Sequence, residues 1–382
     1  MQLCKRLKRG AFIGLLGLSA MATAASAEDT IKIGVIQPLT GSVAYNGTTD
    51  VNGSKLAADE INAKGGLLGK KIELVVEDGQ CKPANSVNAA EKLIQRDKVV
   101  ALSGAFCSSA TLAVMPVAQN YKIPLITGVS SSAPLTEKGN QWFFRATETD
   151  ALLAKSFAKI LYGEIKLRKV AYIGVNDDFG RGAVAEFEKQ MKDLGATTVM
   201  TEFFEHGTSD FYTLLTKLKA SGADGVFVAA ETQDGSIFVK QKAELGLPVK
   251  VFGVGSWATS DFIKLTGDAS EGIYAAVPYA ATMTTPKNKG FVEAYTARFK
   301  EAPGKYSTAG YNAISILAQA IARANSTDAE KIREALTKTD YEGPNGHFQF
   351  DAKGQASGFT VVLVQLTKGS PKVVDSATVE EH

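Results

Sequence analysis

The chain has 382 residues, 45% of them apolar and 21% charged, with a formal net charge of +2. Four cations, Lys5, Arg6, Lys8 and Arg9, crowd the first nine positions, and without residues 1–27 the chain carries 38 basic and 40 acidic side chains. A balance near −2 argues against nucleic acid or an anionic membrane surface as partner, and the remaining 355 residues suffice for two domains of ordinary size.

The opening "MQLCKRLKRGAFIGLLGLSAMATAASAEDT" reads as a secretory signal peptide, residues 1–27. It has a basic start, an apolar run over 11–22, and small residues Ala25, Ser26 and Ala27 ahead of a cut before Glu28. The apolar run is shorter than the roughly 20 residues a membrane span needs, so a soluble exported protein is expected. Cleavage removes Cys4 and leaves Cys81 and Cys107 in an oxidising compartment. An even pair there suggests one disulfide, worth roughly 3 to 4 kcal/mol on the chain-entropy model. Two reduced, buried thiols are the alternative.

Beyond the cut, "IKIGVIQ" predicts a buried strand, and apolar spacing over 50–63 predicts a helix that "KGG" ends. The alternation continues with "KIELVVED", a helix over 84–95, "VVALSG", a helix over 109–120, and "IPLIT". A second series follows "WFFRATETD": a helix from about 151, "KVAYIGV", a helix over 181–194, "TVMTEFF", 211–220, "DGVFVAA", 235–245 and "VKVFGVG". Strands alternating with helices predict parallel sheets covered on both faces. The fold class is therefore α/β, as two similar Rossmann-like lobes with parallel-sheet cores. Helices near 289–299, 307–324 and 328–337 fit either lobe by periodicity alone.

The order of elements and the stretches "IKIGVIQPLTGSVAYNG", "GAFCSSAT", "PLITGVSSSAPLT", "NDDFGRG" and "GPNGHFQFDAKG" resemble the periplasmic leucine/isoleucine/valine-binding proteins of bacterial ABC importers, over nearly the whole mature chain. The resemblance implies a type I periplasmic-binding fold, two lobes joined by three crossovers near Glu148, Pro278 and Phe359. The first lobe would comprise 28–148 and 278–358, the second 149–277 and 359–382. It also implies the bridge Cys81–Cys107, a bound amino acid, a membrane permease as partner, and a monomer in the periplasm.

Ser108 and Ser109 follow a strand and open a helix, where free N–H groups and the helix dipole favour an anion. A serine capping the helix is the competing reading. The resemblance assigns the ligand carboxylate to Ser108 and to Val129, Ser130 and Ser131 after the next strand. It places Phe179 as an aromatic contact from the other lobe, with Asn46, Tyr45 and Tyr306 at the rim. Where the family has a tyrosine this chain has Glu231, and where it has an acid for the ligand ammonium this chain has Gly255, beside Ser256 and Trp257. Glu231 is accordingly expected to hold the ammonium, with a solvated surface glutamate as the alternative. Trp257 is expected as a pocket wall or a core residue.

A catalytic role needs a nucleophile with a base in reach. Of the histidines, His206, His347 and His382, none is expected at the cleft, and a disulfide-bonded Cys107 has no thiolate. The segment "GVGSWA" from Gly253 matches a relaxed dinucleotide pattern, but late in the chain. No cofactor or metal is expected. An amino acid, small and aliphatic, is the expected ligand. The alternatives are an amide, urea or aromatic acid, delivery to a sensor, and, remotely, an exported hydrolase.

Overall fold

The computed structural model describes residues 30–137 and 139–380. The expected signal segment and the terminal His382 lie outside them. The first series runs β1 (Ile31–Gln37), α1 (Ala44–Ala63), β2 (Ile72–Asp78), α2 (Pro83–Gln95), β3 (Ala101–Gly104), α3 (Ser108–Tyr121), β4 (Leu125–Thr127), α4 (Pro134–Glu137) and β5 (Phe143–Arg145). Its strands form one parallel sheet in the order β2-β1-β3-β4-β5, with Ile31 beside Ile72 and Gln37 beside Asp78. Burial along β1 and β3 is nearly continuous, as it must be for strands covered on both faces.

The second series runs α5 (Asp150–Gly163), β6 (Lys169–Val175), α6 (Asp178–Asp193), β7 (Thr197–Phe204), α7 (Tyr212–Ser221), β8 (Gly225–Ala230), α8 (Thr232–Glu244), β9 (Lys250–Gly255), α9 (Ser260–Thr266) and β10 (Tyr274–Val277). After α10 (Asn288–Phe299), α11 (Lys305–Ala324) and α12 (Ala329–Leu336) come β11 (Tyr341–Gly343), β12 (Gly346–Phe350), β13 (Ala356–Thr367) and β14 (Ser370–Thr378). Strands β7-β6-β8-β9-β10 are parallel, and β13 joins β10 antiparallel, carrying β14 and, at its start, β12 and β11. The sequence reading foresaw no antiparallel edge. Its signal was local: Lys368 and Gly369 both take positive φ between paired Thr367 and Ser370, the geometry of a two-residue hairpin.

Helix α11 packs on β3 and β4 of the first sheet and on α1, and α10 lies against α1. Two glycines let α11 lie against α1: a Cβ at Gly53 would fall 1.8 Å from the Ser307 carbonyl oxygen, and one at Gly310 would fall 2.1 Å from that of Asp50. Where the chain passes between the sheets, the crossings are tied together. Arg145 is fully buried and donates to Gln355 Oε1 at 2.6 Å, Gln355 donates to the Thr147 carbonyl, and Asn345 donates to that of Pro278.

The disulfide Cys81–Cys107 spans Cα atoms 5.4 Å apart and joins the turn before α2 to the turn before α3. Among the described residues no helix is long and apolar enough to cross a membrane.

Candidate functional site

In open α/β sheets the crevice lies beyond the carboxyl ends of the strands, where the strand order reverses. In the first sheet that point lies between β1 and β3, in the second between β6 and β8. The segments leaving these strands carry Asn46 and Ser108 on one side and Phe179 and Glu231 on the other. The two lobes bring these ends face to face. Between them is a small cavity, ≈ 10 Å³, lined by Ser108, Val129, Ser130 and Ser131 from the first lobe and Phe179 and Glu231 from the second. That is about the room one water needs, so the two walls nearly meet. Every one of these side chains is buried, so the cleft is closed.

On the first wall, Ser108 is the first residue of α3, whose initial N–H groups have no partner within the helix. Its hydroxyl oxygen accepts the Ser132 N–H at 3.3 Å, so its own proton remains to donate. Ser130 is differently placed. Its hydroxyl donates to the Phe106 carbonyl at 2.7 Å and its N–H to Thr127 Oγ1 at 3.2 Å, so it shapes the loop and has neither donor left for a carboxylate. Arg145 secures the same loop by donating to the Ser132 carbonyl at 2.6 Å. An arginine within the apolar run "WFFRA" was the unread signal for that anchor.

On the second wall, Glu231 is the N-cap of α8, but its carboxylate makes no cap bond. It reaches across instead, accepting from Asn46 Nδ2 at 3.1 Å and from the Tyr306 hydroxyl. Asn46 Oδ1 in turn accepts from Thr232, whose hydroxyl lies 2.7 Å from that of Ser256. Burial pushes the Glu231 carboxyl up, opposed by the Lys305 charge, the Tyr306 hydrogen bond and the His206 charge. The solvated reading of Glu231 is therefore excluded: it is 8% exposed.

Two cations line the cavity that the sequence reading did not place there, Lys305 and His206. The expectation of no histidine at the cleft is corrected. His206 follows β7, its Nε2 is 2.9 Å from Asp177 and its Nδ1 is 3.7 Å from Asp234. Burial would lower its pKa, but hydrogen bonds and charge from these two acids outweigh burial and hold it up to about 10.

Other expected residues lie apart from the cavity. Tyr45 and Asn46 stand in the first turn of α1, which starts six residues before the predicted helix, and Tyr45 is exposed with its hydroxyl on Glu301. Trp257 is fully buried in the second lobe, stacked on Phe262, its Nε1 donating to the Ala230 carbonyl at 2.8 Å. A Cβ at Gly253 would meet the Trp257 ring at 2.4 Å, so the first glycine of "GVGSWA" makes room for a core indole rather than a phosphate. Cys107 is held in its disulfide and offers no thiolate. A larger groove, ≈ 940 Å³, crosses the outside of the first lobe between α1 and α11 and contains none of the strand-end residues.

Two doubly wound lobes with their switch points facing across a closed cavity define a hinged α/β ligand trap. A family model described as "Periplasmic binding protein" matches residues 30–371. The leucine-, isoleucine-, valine-, threonine- and alanine-binding protein of Pseudomonas aeruginosa is 28% identical over 368 residues, 96% of this chain and 98% of that protein. An isoleucine complex of a branched-chain amino acid transporter substrate-binding protein from Streptococcus pneumoniae superposes with a TM-score of 0.84, at 29% identity, covering 92% of this chain and 99% of that one. A solute-binding protein of an ABC transporter from Rhodopseudomonas palustris, in complex with 3,4-dihydroxybenzoic acid, gives a TM-score of 0.83 at 27% identity, covering 93% and 99%. The chain belongs to the periplasmic binding proteins, with the type I fold of two parallel-sheet lobes.

Proposed function

We propose that this protein captures a small α-amino acid between its lobes, performs no chemistry on it, and delivers it to the membrane permease of an ABC importer. It works in the periplasm as a monomer after losing residues 1–27, with lobes made of 28–148 plus 278–358 and 149–277 plus 359–382. The observation that carries the reading is the pairing of Ser108 with Glu231 on opposite walls of one closed cavity. Ser108, with Ser131 and the backbone around Val129, receives the carboxylate, and Glu231 the ammonium, as a charge-assisted pair in a nearly dry site. Phe179 supplies apolar wall, while Tyr306 and Asn46 brace Glu231. The names of relatives, which specify leucine, isoleucine and valine and in one case also threonine and alanine, support the ligand class.

An aromatic acid is the second reading, favoured by the bound ligand of the Rhodopseudomonas protein. A thermal-shift screen of the mature protein against amino acids, their deaminated analogues and hydroxybenzoates separates the two. Stronger stabilisation by amino acids than by any amine-free carboxylate supports the proposal, and equal or stronger stabilisation by carboxylates lacking an amine overturns it.

A further inference from the structure

A cleft built for a plain aliphatic side chain has no use for a buried ammonium, yet Lys305 lines this one at 6% exposure. The residue is placed against two local rules. As the first residue of α11 it sets a cation at the positive end of the helix dipole, and burial strips it of water. Such violations concentrate at functional sites. Its charge is met by an ion pair with the fully buried Glu148, Nζ to Oε1 3.7 Å, and by the Tyr306 ring 5.6 Å away, but the pair is too long for a hydrogen bond. Glu148 Oε1 is itself buried without a hydrogen-bond partner. Among the described residues nothing accepts a hydrogen bond from the Lys305 ammonium, so its donors remain to be matched.

The other polar groups of the cavity are already committed. His206 is engaged by Asp177 and Asp234, and on the reading above the ligand carboxylate goes to Ser108 and its ammonium to Glu231. What is left for Lys305 is the rest of the ligand. We propose that Lys305 reads the ligand side chain, and that the captured amino acid carries an acceptor oxygen there, as a carboxylate or carboxamide, rather than a purely aliphatic chain. The inference rests on the amino-acid reading above. It narrows that reading away from the ligands that the relatives' names specify.

The test is calorimetry on the mature protein and on Lys305→Met, which keeps the length of the stem and removes the charge. The ligands are glutamate, glutamine, aspartate and asparagine, set against norvaline and leucine. The wild type is expected to bind at least one acceptor-bearing amino acid ten-fold or more tighter than either aliphatic one. Lys305→Met is expected to abolish that preference while leaving the aliphatic ligands as they were or tighter. Lys305→Arg should retain most of the preference and serves if the methionine variant does not fold. A wild type that prefers leucine or norvaline overturns the inference and leaves the amino-acid reading standing. So does an equal loss for both ligand classes, which would assign Lys305 to the α-carboxylate or to the frame of the closed cleft. If no amino acid binds the wild type, the underlying reading fails and the inference with it.

Discussion

The Tyr306 hydroxyl donates to the Glu231 carboxylate, and because the two residues belong to opposite lobes this hydrogen bond exists only when the cleft is shut. Asn46 adds a second bond to the same oxygen from the first lobe. Glu231 thus stands where closure and ligand chemistry meet. A ligand can drive closure only by binding the shut form better than the open one, and an ammonium beside this carboxylate does so while offsetting the cost of burying its charge.

Ser108→Ala separates binding from stability. Among the described residues the hydroxyl proton has no acceptor and its oxygen holds only the 3.3 Å bond from Ser132, so the ligand-free melting temperature should change little. Affinity for the amino acid should fall by about 1 to 3 kcal/mol, the scale of a hydrogen bond to a charged group whose partner is left unsatisfied. Calorimetry with a melting curve checks both arms, and unchanged affinity removes Ser108 from the site.

The switch-point serine was legible because strand, turn and helix start are encoded locally: "VVALSG" followed by a helix-opening serine needs no tertiary information. Glu231 was legible for a different reason, as an acid where the resemblance predicts a tyrosine. Lys305 and His206 were not. Lys305 opens a helix that reaches the cleft only because Gly53 and Gly310 allow α11 to lie on α1, a contact between residues more than 250 positions apart. The single hydroxyl of Ser130 looked available in sequence, and only the packed structure shows it donating to Phe106. Trp257 read as well for a wall as for a core, because an aromatic beside glycines signals packing without saying against what.

Gly53→Ala tests that helix contact. The added methyl would sit 1.8 Å from the Ser307 carbonyl oxygen, so α11 must move, and with it Lys305 and Tyr306 at its first turn. Overpacking of this kind costs about 1 to 3 kcal/mol. Urea titration should show that loss, accompanied by weaker binding although no site residue has changed. A variant as stable as the wild type, with full affinity, would mean that the helices have slack.

His206 gives a pH signature. Its folded-state pKa, about 10, lies above the roughly 6.5 of an unfolded histidine. The stabilisation it contributes is therefore fully present below about pH 6.5 and is lost as pH rises through about 10. The melting temperature of wild type should exceed that of His206→Gln most at pH 6, and the two curves should converge by pH 10.5. A difference that is constant across that range would show that the ring acts by packing rather than through its charge on Asp177 and Asp234.

Glu231→Gln carries the sharpest expectation, because the carboxylate joins the lobes and, on the proposed reading, faces the ligand. The amide preserves an oxygen to accept from Tyr306 or Asn46 and removes the charge, so closure survives better than amine recognition. Affinity for an α-amino acid should drop at least ten-fold, about 1.4 kcal/mol. The deaminated analogue behaves oppositely: in the wild type it closes the cleft over a buried carboxylate with no ammonium beside it, so removing the charge should leave its binding unchanged or improved. Calorimetry on both proteins with an amino acid and its deaminated partner decides the matter. Equal loss for both ligands assigns Glu231 to holding the cleft shut through Tyr306 and Asn46 alone, and the ammonium must then be read elsewhere. No loss for either contradicts both roles, since a carboxylate buried at this depth and bonded from the opposite lobe cannot be neutral to closure and to the ligand at once.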